Sequence, residues 1–381
     1  MTTSKPKILF ISDAKTYGGA EFYQASLARA CLQRGWSTMM VLLDEPALNA
    51  WCEGLMKSGI EVLRYNIGDI ADGSLNRKAR AWNPDLIHTN GSNHPEYFRT
   101  IQAVHVGRAC VLSEQAFPFF VPLTCSWWSA LRTRLQRRHW QEKNAQWNFC
   151  DKIITANGIF RTVMIKNWGI APDRVESICN GVDPTGFEPF DPARKNLLTI
   201  LGQKIDSPII ITTGRMVWLK GFDLLLKAMA GLKSKNWHLV MVGDGEFLPN
   251  LKAQASALNI ADRVHFTGHR SDLKTFLAGA DIFVLPTRNE AIGFSILEAM
   301  SCQVASIGTA VGGVPEVLGD SEFGLLVPSE NVSRLRRAIE RLLTDVPLRK
   351  ELGERGKKRI LENFTLQQMI DKTLRIFEQL L

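Results

Sequence analysis

The stretch Asp281–Glu298, D-I-F-V-L-P-T-R-N-E-A-I-G-F-S-I-L-E, reads as a strand, a loop and the start of a helix. The apolar run up to Pro286 is the strand. Glu290 falls in the loop that follows, and Gly293 allows a tight turn into the helix. Glu298 then lies more than one turn inside it. A helix start offers free backbone N–H groups to an anion. A carboxylate on either side of that anion can accept hydroxyl protons. An anion flanked by hydroxyl-bearing rings is a nucleoside diphosphate sugar.

A second site lies upstream in I-I-I-T-T-G-R-M-V-W-L-K-G, residues 209–221. An apolar strand ends at Gly214, and Arg215 and Lys220 sit on a short loop before the next helix. Arg supplies a planar fork for phosphate oxygens and Lys a point charge, a pair suited to neutralising a diphosphate. Cations at a helix start oppose the helix dipole until an anion arrives, which favours the functional reading over two idle surface charges.

Further motifs follow the same order along the chain. They are Gly18-Gly19-Ala20-Glu21 after the first strand, Asn180-Gly181-Val182-Asp183, Gly214-Arg215 with Lys220-Gly221, and Val242-Gly243-Asp244-Gly245-Glu246. Glu290 to Glu298 and Gly312-Gly313-Val314-Pro315-Glu316 complete the set. In this set the chain resembles the retaining glycosyltransferases of family 4. The resemblance implies an α/β fold of the GT-B kind: two Rossmann-like, doubly wound domains facing across a cleft. It implies an acceptor-binding domain over 1–186 and a donor-binding domain over 187–365. A last helix over 366–381 is expected to pack back on the first domain. The implied reaction moves a sugar from a nucleotide diphosphate sugar, uridine first and guanosine next, to a glycan or lipid-linked acceptor.

Composition agrees. A chain of 381 residues suits two domains, with 45% hydrophobic and 22% charged residues as in soluble globular proteins. The start M-T-T-S-K-P-K-I-L-F-I-S reads as a first strand, its apolar run too short for a signal peptide. No run approaches the roughly 20 apolar residues of a membrane span. The seven cysteines are scattered without a C-x-x-C pair and read as reduced thiols of a cytoplasmic protein. There is no D-x-D motif, which fits an enzyme that uses no metal and no other cofactor.

Apolar strand-like runs alternate with helical patterns, as in parallel sheets covered on both faces. The first half predicts strands at Lys7–Ser12, Thr38–Leu43, Glu61–Tyr65, Leu86–His88, Ala109–Ser113 and Lys152–Thr155. The second predicts Ile209–Thr213, Leu239–Val242, Val264–Thr267, Ile282–Leu285, Val304–Ile307 and Leu325–Val327. Helices are expected at Ala20–Arg34, Ala47–Lys57, Leu75–Trp82, after Ser126, and at Gly158–Asn167. Three more close the chain, at Val332–Leu343, Leu348–Asn363 and Leu366–Leu381. The proline-marked Phe187–Asn196 reads as the linker.

Mechanism follows from charge. Breaking a sugar–phosphate bond builds negative charge on the leaving diphosphate, which Arg215 and Lys220 would stabilise. The N–H group of Gly19 and those of the turn Ile292-Gly293-Phe294 would assist, with Gly18 and Gly19 allowing close approach of the donor. The resemblance places Glu298 on ribose hydroxyls and Glu290 on hydroxyls of the donor sugar. Attack from the front face needs no enzyme nucleophile. A nicotinamide reading is disfavoured, because G-x-G-x-x-G spacing is absent.

The chain departs from the family near the end of its fifth strand. Where many relatives carry a histidine, V-L-S-E-Q-A-F places Gln115, or Glu114 one residue earlier. Gln115 can donate and accept hydrogen bonds but carries no charge. His88 and Asn90 occupy an H-x-H-like pair, so His88, Asn90 and Glu114 are candidate contacts for acceptor or sugar. A satisfied strand-end histidine is the commoner role for His88.

The net charge of 46 − 38 = +8 has a local source after Ser126. Trp127, Trp128, Arg132, Arg134, Arg137 and Arg138 suit an anionic bilayer surface, at about 1 kcal/mol per basic residue. A tryptophan stripe in the core with solvated arginines is the equal alternative. Nucleic acid is disfavoured for want of a recognition motif. Function therefore stands as a sugar transferase at the cytoplasmic membrane, with two alternatives. One is a phosphorylase or nucleotide-sugar epimerase of the same fold; the other is a non-catalytic nucleotide-sugar-binding protein.

Overall fold

The structure, a computed structural model, describes residues 5–15, 18–90, 101, 105, 108–114, 150–202, 206–234 and 236–381. The chain divides into two compact units. One comprises Met1–Cys179 with Met369–Leu381, the other Asn180–Gln368.

The first unit is built on β1 (Lys7–Ile11), β2 (Ser37–Leu43), β3 (Glu61–Tyr65), β4 (Leu86–Asn90), β5 (Ala109–Glu114), β6 (Lys152–Thr155) and β7 (Val175–Ser177). They form one parallel sheet in the order β3-β2-β1-β4-β5-β6-β7. All residues of β4 are buried, as expected of a parallel strand covered on both faces. Asn157 caps the helix Gly158–Trp168 by accepting the Phe160 N–H at 2.7 Å, and Gly169 ends it in the left-handed conformation.

The last helix, Leu366–Leu380, lays an apolar stripe of Met369, Ile370, Leu374, Ile376 and Phe377 into this unit. Phe377 packs against Phe10 and His88, with ring centroids 6.4 and 5.6 Å away.

The second unit repeats the plan with β8 (Ile209–Thr213), β9 (His238–Val242), β10 (Val264–Gly268), β11 (Ile282–Leu285), β12 (Ala305–Thr309) and β13 (Leu325–Val327). The parallel order is β10-β9-β8-β11-β12-β13. Its core gathers Trp237, Phe222, Ile210, Met241, Val284 and Ile307, all essentially fully buried.

Both sheets have the doubly wound Rossmann order, in which chain direction across the sheet reverses once. In the first unit the reversal lies between β1 and β4, in the second between β8 and β11. Ligands of such sheets bind outside the carboxyl ends of the strands at that reversal. The loops after β8 and β11 are those that carry Arg215, Lys220 and Glu290.

Two expectations are corrected. Phe187–Asn196 is not a continuous linker, because the helix Ala193–Leu201 begins within it. Leu197 is fully buried, and Arg194 donates to Asp281, Gly279 O and Ser207 O at 2.8–2.9 Å. The second correction is β7, a strand of three residues that pairs with β6 and is too short to show a period. The helix expected after Ser126 lies outside the described residues.

Candidate functional site

β8 is followed by Gly214, whose N–H donates to Val242 O at 3.0 Å. Gly243 follows β9 with φ +139, and a β-carbon there would lie 2.0 Å from Gly214 O. Two more backbone bonds lace these loops, Met216 N–H to Asp244 O at 2.7 Å and Phe247 N–H to Met216 O at 2.9 Å. Met216 is fully buried, while its neighbour Arg215 is exposed. Burial of one and exposure of the other present the Arg215 guanidinium outward. It has no ion-pair partner among the described residues.

Lys220 ends a single 3₁₀ turn, Trp218–Lys220, and Gly221 follows at φ +67. A β-carbon at Gly221 would sit 2.0 Å from Pro286 O, so only glycine lets this turn press against the loop after β11. That contact brings Lys220 Nζ to 2.5 Å from Glu290 Oε2. The Lys220 and Glu290 side chains are 25% and 14% exposed.

Glu290 is braced from behind. Gly312 has φ +50, and a β-carbon there would fall 1.6 Å from Glu290 O. Gly313 N–H donates to Ala291 O at 2.8 Å. Ile292 is buried, and Gly293 at φ +84 starts the helix Phe294–Ser301 with no side-chain cap. Its positive end thus lies beside Lys220 and Glu290, a place for negative charge.

Glu298 lies on that helix, with part of its surface open to solvent. Its carboxyl has no hydrogen-bond or ion-pair partner among the described residues. Burial pushes its pKa from 4.5 up to about 7. An unpaired, poorly solvated carboxylate is a strong acceptor for incoming hydroxyls.

In the first unit, Gly18 caps the helix Gly19–Gln33 with extended backbone. Glu21 reaches back, and its carboxylate accepts the Gly18 N–H, the return half of a capping box. Burial raises the Glu21 pKa, helped by nearby Asp13, while the backbone N–H bonds lower it. The Gly18 N–H is therefore taken by the chain's own carboxylate. A β-carbon at Gly18 would be 3.2 Å from Glu21 Oε2.

His88 is fully buried, which removes it as a sugar contact. Its Nδ1 accepts from Gln24 Nε2 at 3.3 Å, and its Nε2 faces Ser113 Oγ at 2.7 Å. Ser113 continues to Tyr23 Oη at 3.2 Å, Tyr23 to Thr373 Oγ1 at 3.3 Å, and Thr373 to Met369 O at 3.0 Å. Burial drops the His88 pKa to about 3, so the ring is a neutral link in a structural chain. Asn90 is buried too, with Nδ2 3.4 Å from Ala20 O and Oδ1 without a partner among the described residues.

Glu114 is the last residue of β5, opposite Thr155 of β6. Gln115, Trp127, Trp128, Arg132, Arg134, Arg137 and Arg138 lie outside the described residues. Among the described residues, no helix is long and apolar enough to cross a membrane.

Sequence reasoning missed Arg288, which holds Asp223 through two bonds of 2.7 and 2.9 Å. It also missed the bracing done by Gly221, Gly243 and Gly312. Their only signal was their presence in the motifs.

The chain matches the family described as "Glycosyltransferase Family 4" over residues 17–185 and "Glycosyl transferases group 1" over 194–359. It is 34% identical over 171 residues to the lipopolysaccharide core biosynthesis glycosyltransferase LpsE of Rhizobium meliloti. That match covers 45% of this chain and 50% of LpsE, so the chain spans about half that relative's length. Two further curated relatives are spanned over 66% and 60% of their lengths. A glycosyltransferase from Rickettsia africae superposes with a TM-score of 0.83 at 19% identity, covering 99% of each chain. HepE from Anabaena, solved in complex with UDP, gives 0.80 at 20% identity, covering 98% of this chain and 100% of that one.

Proposed function

Because the chain belongs to glycosyltransferase family 4, with its two Rossmann-like sheets, we propose that it transfers a sugar from a nucleotide diphosphate sugar, UDP first and GDP next, to an envelope or lipid-linked glycan. One observation carries the reading. The loops after β8 and β11, at the reversal of the second sheet, join Lys220 to Glu290 beside an uncapped helix start, with Arg215 exposed at the head of the first loop. UDP in the HepE complex supports uridine as the base, and the core biosynthesis role of LpsE supports an envelope acceptor.

The chemistry follows from these groups. Arg215 and Lys220 take up the negative charge of the departing diphosphate, and the N–H groups at Gly293 and beyond add to it. Glu298 accepts from the ribose hydroxyls. Glu290 exchanges Lys220 for hydroxyls of the donor sugar once phosphate draws the lysine away. The anomeric carbon–oxygen bond to phosphate breaks, and the acceptor oxygen bonds on the same face. Its proton passes to the leaving phosphate oxygen, so the configuration is retained without an enzyme nucleophile or a metal. Glu114 and Gln115 serve in this reading as the contacts that orient the acceptor. The aromatic and basic residues from Trp127 to Arg138 hold the enzyme against the anionic inner face of the cytoplasmic membrane.

The test is transfer from UDP-glucose to a panel of truncated envelope glycolipids, with the product followed by proton NMR in the presence of EDTA. An axial anomeric signal in the product is expected. An equatorial product, or activity that vanishes with EDTA, contradicts retention or metal independence. Release of sugar phosphate on adding inorganic phosphate alone points to a phosphorylase.

A further inference from the structure

Lys220 stands on weak local structure. Its 3₁₀ turn is closed by two backbone bonds, Lys220 N–H to Val217 O at 3.0 Å and Gly221 N–H to Trp218 O at 3.1 Å. One turn of this kind has poor hydrogen-bond geometry and little stability of its own. Its support comes from the loop after β11. Arg288 N–H donates to Leu219 O at 2.8 Å, and Thr287 Oγ1 to the same oxygen at 3.2 Å.

The Arg288 side chain completes the support. Nη1 donates to Trp218 O at 2.7 Å, at the front of the turn. The same guanidinium grips both oxygens of Asp223, in the first turn of the helix Phe222–Ala230 just behind it. Lys220 lies between these two attachments. The guanidinium also stacks on the Trp218 indole, 4.3 Å from the ring centroid, and Nε reaches Glu330 at 3.1 Å. Only 9% of the Arg288 side chain is exposed. Trp218, by contrast, is 54% exposed, so apolar burial does little to hold the turn.

We propose that Arg288 is a positioning residue for the donor site: its fork fixes the Trp218–Lys220 turn so that Lys220 meets the diphosphate already aligned. Arg288 touches no reacting atom and acts through Lys220. The inference rests on the reading that Lys220 binds the diphosphate. A lysine at 288 keeps the charge but cannot make the two parallel bonds to Asp223 while also reaching Trp218 O.

A double-mutant cycle separates this role from a general structural one. UDP affinity is measured calorimetrically for wild type, Arg288→Ala, Lys220→Ala and the double variant. Arg288→Ala is expected to weaken UDP binding about tenfold with Lys220 present, and by less than about twofold in its absence. Arg288→Lys should fall between wild type and Arg288→Ala, and it replaces Arg288→Ala in the cycle if that variant does not fold. Equal losses in both lysine backgrounds overturn the inference, as does unchanged affinity in Arg288→Ala. Absence of UDP and GDP binding in wild type overturns the donor-site reading itself, and the inference falls with it.

Discussion

Lys220 Nζ lies 2.5 Å from Glu290 Oε2, although the two residues are 70 positions apart in sequence. Both are partly buried, so the pair is less screened than a surface ion pair. The lysine that would neutralise a diphosphate is held by the carboxylate that would bind the sugar. Donor binding must exchange these partners. Glu290→Gln removes the competitor for Lys220 while keeping the shape. The variant is expected to bind UDP at least as tightly as wild type, yet to transfer sugar roughly 10²-fold more slowly. Calorimetry with UDP and turnover of UDP-glucose check the two halves. A large loss of UDP affinity would show that Glu290 supports the phosphate site instead of competing with it.

Glu298 sets function against stability. Its carboxyl titrates at about 7 in the folded chain, against 4.5 ordinarily, because of burial. Between those values the folded state holds the proton more tightly than the unfolded state. Stability therefore falls as pH rises through that window, by about 3 kcal/mol at most. Glu298→Gln removes this loss. Its melting temperature should match wild type near pH 4.5 and exceed it by several degrees at pH 8, while nucleotide binding weakens. Scanning calorimetry at both pH values decides. A variant less stable than wild type at pH 8 would mean that the carboxylate has a stabilising partner.

Gly312 and Gly202 both have positive φ, +50 and +64, but only Gly312 abuts another chain segment. Gly202→Ala meets nothing within 4 Å among the described residues and should cost about 1 kcal/mol of backbone strain. Gly312→Ala drives a methyl into Glu290 O, and should cost at least ~2 kcal/mol and displace Glu290. Denaturant melts rank the two, and UDP-glucose binding should fail only in Gly312→Ala. Equal behaviour of both variants would rule out the Gly312–Glu290 brace.

His88 offers a different pH test. Burial lowers its pKa to about 3, so the unfolded chain binds the proton first as pH falls below about 6.5. The chain is thereby destabilised progressively from pH 6.5 down towards 3. His88→Gln should melt with a shallower acid dependence and keep its activity at pH 7.5. Activity lost at pH 7.5 in a folded His88→Gln protein would restore the histidine as a contact for acceptor or sugar.

The repeating strand–helix plan was legible because apolar runs bounded by glycine and proline mark buried parallel strands. The strand–loop–helix reading of 281–298 matches β11 and the helix Phe294–Ser301. The helix Ala193–Leu201 was hidden by the prolines before it, although Leu197 at its centre is fully buried. Lys220 and Glu290 were each legible from loop position and charge. Their contact was not, because it depends on Gly221 lying flush against Pro286, a tertiary fact. Arg288 escaped for the same reason: nothing local marks a guanidinium that ties together residues 218, 223 and 330. Nothing in a glycine pair before a helix marks that Glu21 takes the Gly18 N–H, which is again a fact of the folded loop.

The most direct test of the donor site is a melting-temperature panel of UDP, GDP, ADP and dTDP sugars, in EDTA, on wild type and on Arg215→Ala/Lys220→Ala. Wild type should be stabilised selectively, UDP sugars first. The double variant should melt at the wild-type temperature without ligand and show no shift with any of the sugars. A shift that survives in the double variant, or none in wild type, would contradict a diphosphate seated on Arg215 and Lys220.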